Sequence, residues 1–138
     1  MRIYMAVALV VLAVGGCSKN DVTGDVTGGG GTLVTAGGNF YNASFAPTVL
    51  KCDLLLDGTV IATQTYATAT GGAPLIGTAW IQNGSHTLAF RITSQSSSPN
   101  SYKASGVSVR GGSTSEHLAD RTQTLATGQS ISYTFTWP

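Results

Sequence analysis

Charge is scarce in this sequence. Charged residues make up 9% of its 138 positions, against about a quarter in an ordinary soluble domain. Long helices with a charged solvent face cannot be built from that supply. Charge of one sign is scarcer still. Seven Lys and Arg oppose six Asp and Glu, a net of +1, and one of the positive charges, Arg2, lies in a segment expected to be removed. A nearly neutral chain gives no electrostatic footprint for nucleic acid or for anionic lipid headgroups, which disfavours nucleic acid as a partner. Cysteine is almost absent: Cys17 and Cys52 are the only two, too few for a disulfide framework. A membrane-spanning run is missing as well. The apolar stretch Ile3 to Val14 holds about a dozen residues, short of the roughly 20 that cross a bilayer.

Catalytic patterns are equally hard to find. No G-x-S-x-G elbow is present for a Ser-His-Asp hydrolase, and no pair of carboxylates stands out for glycoside hydrolysis. The run Gly28 to Gly31 is followed by no Lys-Ser/Thr and preceded by no strand, so it is not a phosphate loop. The histidines are His86 and His117. Glu116, His117 and Asp120 would have to converge on a metal, with or without His86. Neighbours on an extended loop point in different directions, however, and no His-x-x-x-His spacing is present. The chain therefore reads as non-catalytic, with no metal and no cofactor.

What is present begins at the N-terminus. A single positive residue, Arg2, precedes the short apolar stretch, which has the length of a signal-peptide core. It ends in Val14-Gly15-Gly16-Cys17. An aliphatic residue, two small residues and a Cys resemble the lipobox of bacterial lipoproteins. By that resemblance residues 1–16 are a signal peptide, and Cys17 becomes the lipidated first residue of the mature protein. The competing reading is an ordinary signal peptide or a short retained anchor. In that case Cys17 could pair with Cys52; otherwise Cys52, in an apolar alternation, is a small buried hydrophobe. Ser18 rather than Asp after the lipidated Cys leans toward the outer membrane or cell surface over the inner membrane.

Residues 17–31 read as a flexible tether. Asp21-Val22-Thr23-Gly24 repeats at once as Asp25-Val26-Thr27-Gly28, and Gly28 to Gly31 closes the segment. Fourteen residues of this composition, 18–31, reach about 20 Å. The two Asp are too few and too widely spaced for a Ca²⁺ loop.

From residue 32 to 138 the pattern has period two. Leu50, Cys52, Leu54 and Leu56 alternate, as do Leu88, Phe90 and Ile92, and Ile131, Tyr133, Phe135 and Trp137. Asp57-Gly58 between two such runs predicts a type I′ hairpin, whose central residues both need positive φ. Weaker strand signals cover 32–35, 39–45, 74–81 and 102–110. Turn signals fall at Gly37-Gly38, Ala46-Pro47, Gly71-Gly72, Asn83-Gly84, Ser98-Pro99-Asn100, Gly111-Gly112 and Thr127-Gly128. Seven or eight short strands with frequent turns predict an all-β antiparallel sandwich, its core filled by Trp80, Phe90, Tyr133, Phe135 and Trp137.

The segments Leu54 to Thr63 and Asn83 to Ile92, with a "DG" turn in the first and "G-S-H-T-L" in the second, resemble bacterial immunoglobulin-like domains. The resemblance covers residues 49–94 and implies an immunoglobulin-like β-sandwich with His86 as a structural or turn residue. It fails beyond Thr93, where a Ser-rich stretch (Ser94 to Ser98), an additional strand candidate and a Gly/Ser/Thr loop near 111–116 leave the strand order open. Phe40, Tyr41, Tyr66 and Tyr102 are candidates for an exposed aromatic binding platform, against the alternative that most are packing partners. The function expected first is a lipid-anchored binding or adhesion module of the cell envelope, facing a glycan, the cell wall or a surface protein, with the membrane as partner through Cys17. The second is a structural subunit, pilin-like or of a surface layer, that self-assembles by β-strand addition through Gln129 to Trp137. The third is an envelope inhibitor or accessory lipoprotein.

Overall fold

A computed structural model describes residues 30–44, 48–66 and 73–138. The signal segment, Cys17 and nearly all of the tether lie outside the described residues, as do the turn signals at 46–47 and 71–72. The rest forms nine strands and, among the described residues, no helix: β1 (Thr32–Asn42), β2 (Leu50–Leu56), β3 (Thr59–Tyr66), β4 (Ala73–Ile81), β5 (Gly84–Gln95), β6 (Asn100–Gly111), β7 (Thr114–Leu118), β8 (Arg121–Leu125) and β9 (Ser130–Trp137).

The alternation in the sequence becomes two faces. Along β9, Ile131, Tyr133, Phe135 and Trp137 are buried while Ser132, Thr134 and Thr136 are exposed, as successive side chains of a strand must point to opposite faces. At the β2–β3 turn Asp57 has φ 50° and Gly58 φ 80°, the left-handed pair that the hairpin requires. The strands make two antiparallel sheets. One runs β4-β1-β6-β7, with β8 also paired to β6; the other runs β3-β2-β5-β9. Between them Phe40 stacks on Phe90 at 5.4 Å and on Tyr102 at 5.5 Å, and Phe90 meets Tyr133 edge-on at 6.4 Å. These rings come from β1, β5, β6 and β9, so an aromatic column ties the sheets together. Such pairs add about 0.5–1.5 kcal/mol each beyond burial.

An immunoglobulin sandwich places strands A, B, E and D in one sheet and C, F and G in the other, with C′ beside C in variable-type domains. Here β1, β2, β3, β4, β5 and β9 stand where B, C, C′, E, F and G stand. The place of A, beside B, is filled by β6, which arrives from between F and G. This is where the sequence resemblance fails. After β5 the chain crosses to the opposite sheet for β6, β7 and β8, then returns for β9.

Three expectations are corrected. Gly37-Gly38 is not a turn. It lies inside the continuous strand β1, which merges two expected short strands. The segment expected to be a loop near 111–116 contains the start of β7, and β8 was not anticipated. Trp80 is not core: it is 65% exposed, because on β4 the inward parity belongs to Leu75, Gly77, Ala79 and Ile81.

Candidate functional site

The outward face of the β4-β1-β6-β7 sheet carries three of the exposed large hydrophobics, Leu33, Ile76 and Trp80. Pairing aligns its side chains in rows. Leu33 stands opposite Trp80; Thr35 lies between Thr78 and Arg110; Gly37 lies between Ile76 and Ser108; Asn39 lies between Pro74 and Ser105; Tyr41 stands opposite Lys103. On the far side Ser115 pairs with Arg110 and His117 with Ser108. Ile76 is 54% and Leu33 50% exposed.

A depression of about 260 Å³ opens in the middle of this face, lined among others by Thr35, Asn39, Pro74, Ile76, Ser108 and Arg110. Its floor is glycine. Gly37, on the central strand, presents no side chain between Ile76 and Ser108. It has φ 143°, and a Cβ there would collide with the backbone carbonyl of Leu75. Beside it the β1–β6 register shifts between Gly37 and Asn39. Gly38 then faces Gly106 and Val107, and Gly106 sits at φ 60°, the geometry of a bulge that opens on a left-handed glycine. The freed Gly106 N–H donates to Asp120 Oδ1 at 3.0 Å, and Asp120 also pairs with Lys103 Nζ at 3.2 Å. Backbone amide and ammonium together hold the Asp120 carboxyl below its usual range. Arg110 has no hydrogen-bond or ion-pair partner among the described residues.

The other residues singled out by the sequence have structural roles. Phe40 and Tyr102 are fully buried, and Tyr66 is 6% exposed. Only Tyr41 is on the outward face, half-buried. The four-residue aromatic platform is therefore corrected: Phe40 and Tyr102 belong to the inward parity of β1 and β6 and stack with each other in the core. Tyr102 OH donates to Gln95 Oε1 at 2.6 Å. Cys52 is fully buried and free. Burial pushes its thiol far up, with a smaller push from Asp53, so it stays protonated and inert.

His86 joins two turns. Its Nδ1 lies 2.6 Å from Asp57 Oδ2 and its Nε2 2.7 Å from the Gln82 carbonyl oxygen. Thr87 N–H donates to Asp57 Oδ1 at 2.8 Å, and Asp57 N–H donates to the Thr87 carbonyl at 2.9 Å. Two acceptors facing both ring nitrogens favour the imidazolium. The hydrogen bond to Asp57, outweighing desolvation, raises the His86 pKa. Desolvation pushes Asp57 up, but the hydrogen bonds from His86 and Thr87 win and hold it low. His86 is thus committed away from His117, which is exposed on β7 beside Ser115. Asp120 is committed to the β6 bulge. Among the described residues no three of His, Cys, Asp and Glu gather closely enough to hold a metal ion.

The sequence signal for the face was weak. Pro74 to Ile81 has apolar residues at both parities, so nothing local said which of them faces out. Arg110 carried no motif. No family model matches the chain, and no curated protein or solved structure matches it either.

Proposed function

We propose that this protein is a lipid-anchored, non-catalytic binding module of the bacterial cell envelope, exported by residues 1–16, anchored through Cys17, and displayed on the tether 17–31. The observation that carries the binding half is the glycine-floored depression of about 260 Å³ on the outward sheet face. Ile76 and Pro74 supply an apolar wall there. Thr35, Asn39 and Ser108 supply hydrogen-bonding groups. This mixture suits a small polar ligand with one apolar face, such as a ring of an envelope glycan, since specific sites combine apolar lining with a few placed polar groups.

The test is cosedimentation of the protein with purified cell-wall sacculi and with envelope glycans. Ile76→Glu puts a charge on the rim without entering the core. It is expected to abolish cosedimentation while leaving the melting temperature unchanged. No cosedimentation by the unaltered chain would remove the glycan-binding reading. The anchor is tested separately: Cys17→Ala is expected to lose labelled acyl chains and move to the soluble fraction.

Strand-exchange assembly has less support. The G position is filled by the chain's own β9, and withdrawing that strand would expose Ile131, Tyr133, Phe135 and Trp137, all buried.

A further inference from the structure

Five large hydrophobic side chains are exposed among the described residues: Leu33, Val49, Val60, Ile76 and Trp80. Two of them form a pair. Leu33 and Trp80 stand directly opposite each other across β1 and β4, on the outward face, 50% and 65% exposed. Their position along the chain is informative. Leu33 is the second residue of β1, so the pair sits at the mouth of the tether, at the end of the sandwich nearest to Cys17 in chain length. Arg110 pairs with Thr35, two residues beyond Leu33 on the same face, and is therefore a diagonal neighbour of Leu33. It has no partner among the described residues. An indole, an isobutyl group and an unpaired guanidinium thus lie on one sheet face where the tether enters the fold.

A bilayer surface complements all three. Indoles are enriched at the headgroup level of membranes. A guanidinium takes phosphate oxygens in a planar fork. Alone, two exposed side chains and one cation would bind a membrane too weakly to matter. A tether of about 20 Å reach changes the arithmetic, because it makes docking intramolecular, at an effective concentration in the millimolar range. Resting on the lipid-anchored reading above, we propose that the Leu33–Trp80 pair with Arg110 is a membrane-surface contact. The tethered domain lies with the start of β1 and the end of β4 on the bilayer, Trp80 at headgroup depth and Arg110 on lipid phosphate. The opposite end of the sandwich, with the β1–β2 and β5–β6 connections, then points away from the membrane.

The chain carries its own probe. Trp80 and Trp137 are its only tryptophans; Trp80 is exposed and Trp137 is 2% exposed. The mature lipidated protein is reconstituted in vesicles of phosphatidylcholine and phosphatidylglycerol, and its emission is recorded with headgroup-quencher lipids and with aqueous iodide. Trp80→Phe defines the Trp137 background. The expected result is blue-shifted Trp80 emission, quenched by the lipids and shielded from iodide. Arg110→Gln is expected to reduce the docked-to-free ratio about fivefold, the equivalent of about 1 kcal/mol per basic residue at an anionic surface. Mass spectrometry of Cys17 and vesicle flotation separate the two readings. A lipidated, floating protein whose Trp80 stays open to iodide overturns the membrane contact alone. A chain with no lipid on Cys17 overturns the anchor and the contact together.

Discussion

At the scale of the residue, the pair that ties the β2–β3 turn to the β4–β5 turn has a pH signature. His86 has its folded pKa raised above the ordinary 6.5, first by its hydrogen bond to Asp57. The folded state therefore holds that proton more tightly than the unfolded state does. The resulting stability is complete below about pH 6.5 and is lost as pH rises through the raised value. Asp57 works in the opposite sense. Its folded pKa is lowered from 3.8, so its contribution is present above that value and is lost as pH falls through the depressed one. Thermal melts should therefore peak in the mildly acidic range, and His86→Gln should flatten the alkaline flank. A profile unchanged by that substitution would show that the pair contributes nothing. Tyr133 gives a prediction of the other sign. Its hydroxyl is buried without a partner among the described residues, while its ring packs edge-on against Phe90 and under the Arg121 guanidinium at 4.7 Å. An unpaired buried hydroxyl costs about 1–3 kcal/mol. Tyr133→Phe keeps the ring and is expected to be neutral or to raise the urea midpoint; a lowered midpoint would point to a partner for the hydroxyl.

At the scale of the element, the bulge in β6 organises one edge of its sheet. Thr114 to Leu118 pairs with Gly111 to Val107, and Arg121 to Leu125 pairs with Ala104 to Asn100. Thus β7 and β8 are one strand broken at residues 119–120, opposite the bulge at Gly106. Asp120 fills the break by accepting the Gly106 N–H. Asp120→Ala should speed hydrogen exchange at the Gly106 amide while leaving amides in the centre of β5 protected; equal protection in both proteins would show that the carboxylate does not hold the bulge. Gly37→Ala tests the depression's floor. Its Cβ meets backbone, which cannot move aside as a side-chain tip can, so a loss of about 1–3 kcal/mol is expected, as for overpacking, read as a lower denaturant midpoint. These features explain where sequence reading stopped. Asp57-Gly58 was legible because its turn is local and its φ demand is met by its own two residues. Gly37-Gly38 reads identically as a breaker, yet it is a point of close approach inside a strand, a fact set by Leu75 and Val107 far along the chain. The segment Thr114–Leu118 showed no alternation because, at the sheet edge, neither of its faces is fully buried.

At the scale of the whole molecule, the topology closes the sandwich on its own C-terminal strand. One edge is sealed where Gly77 of β4 meets Ile61 of β3; an added Cβ would stand 2.5 Å from the Ile61 carbonyl oxygen. At the opposite side Arg121 of β8 donates to the Ser132 carbonyl of β9, which occupies part of the backbone that an added strand would need. Residues 18–138 are therefore expected to run as a monomer in gel filtration with light scattering. Deleting Gln129 to Pro138 should unfold it, because four buried side chains leave the core; a folded, soluble truncation that polymerises with donor strands would instead restore the subunit reading.

Period-two alternation, turn chemistry and the scarcity of charge determined by themselves that the chain is an all-β sandwich, and they placed Leu88, Phe90, Ile92 and the β9 residues inside. Those signals depend on a few consecutive residues, so they survive without knowledge of partners. Only the tertiary structure decided that β6 takes the place beside β1, that Phe40 and Tyr102 stack within the core, and that Trp80 faces outward beside Leu33. Each of these rests on pairing between strands distant in sequence. Where both parities of a strand carry apolar residues, only the register of its neighbour selects the face that is buried.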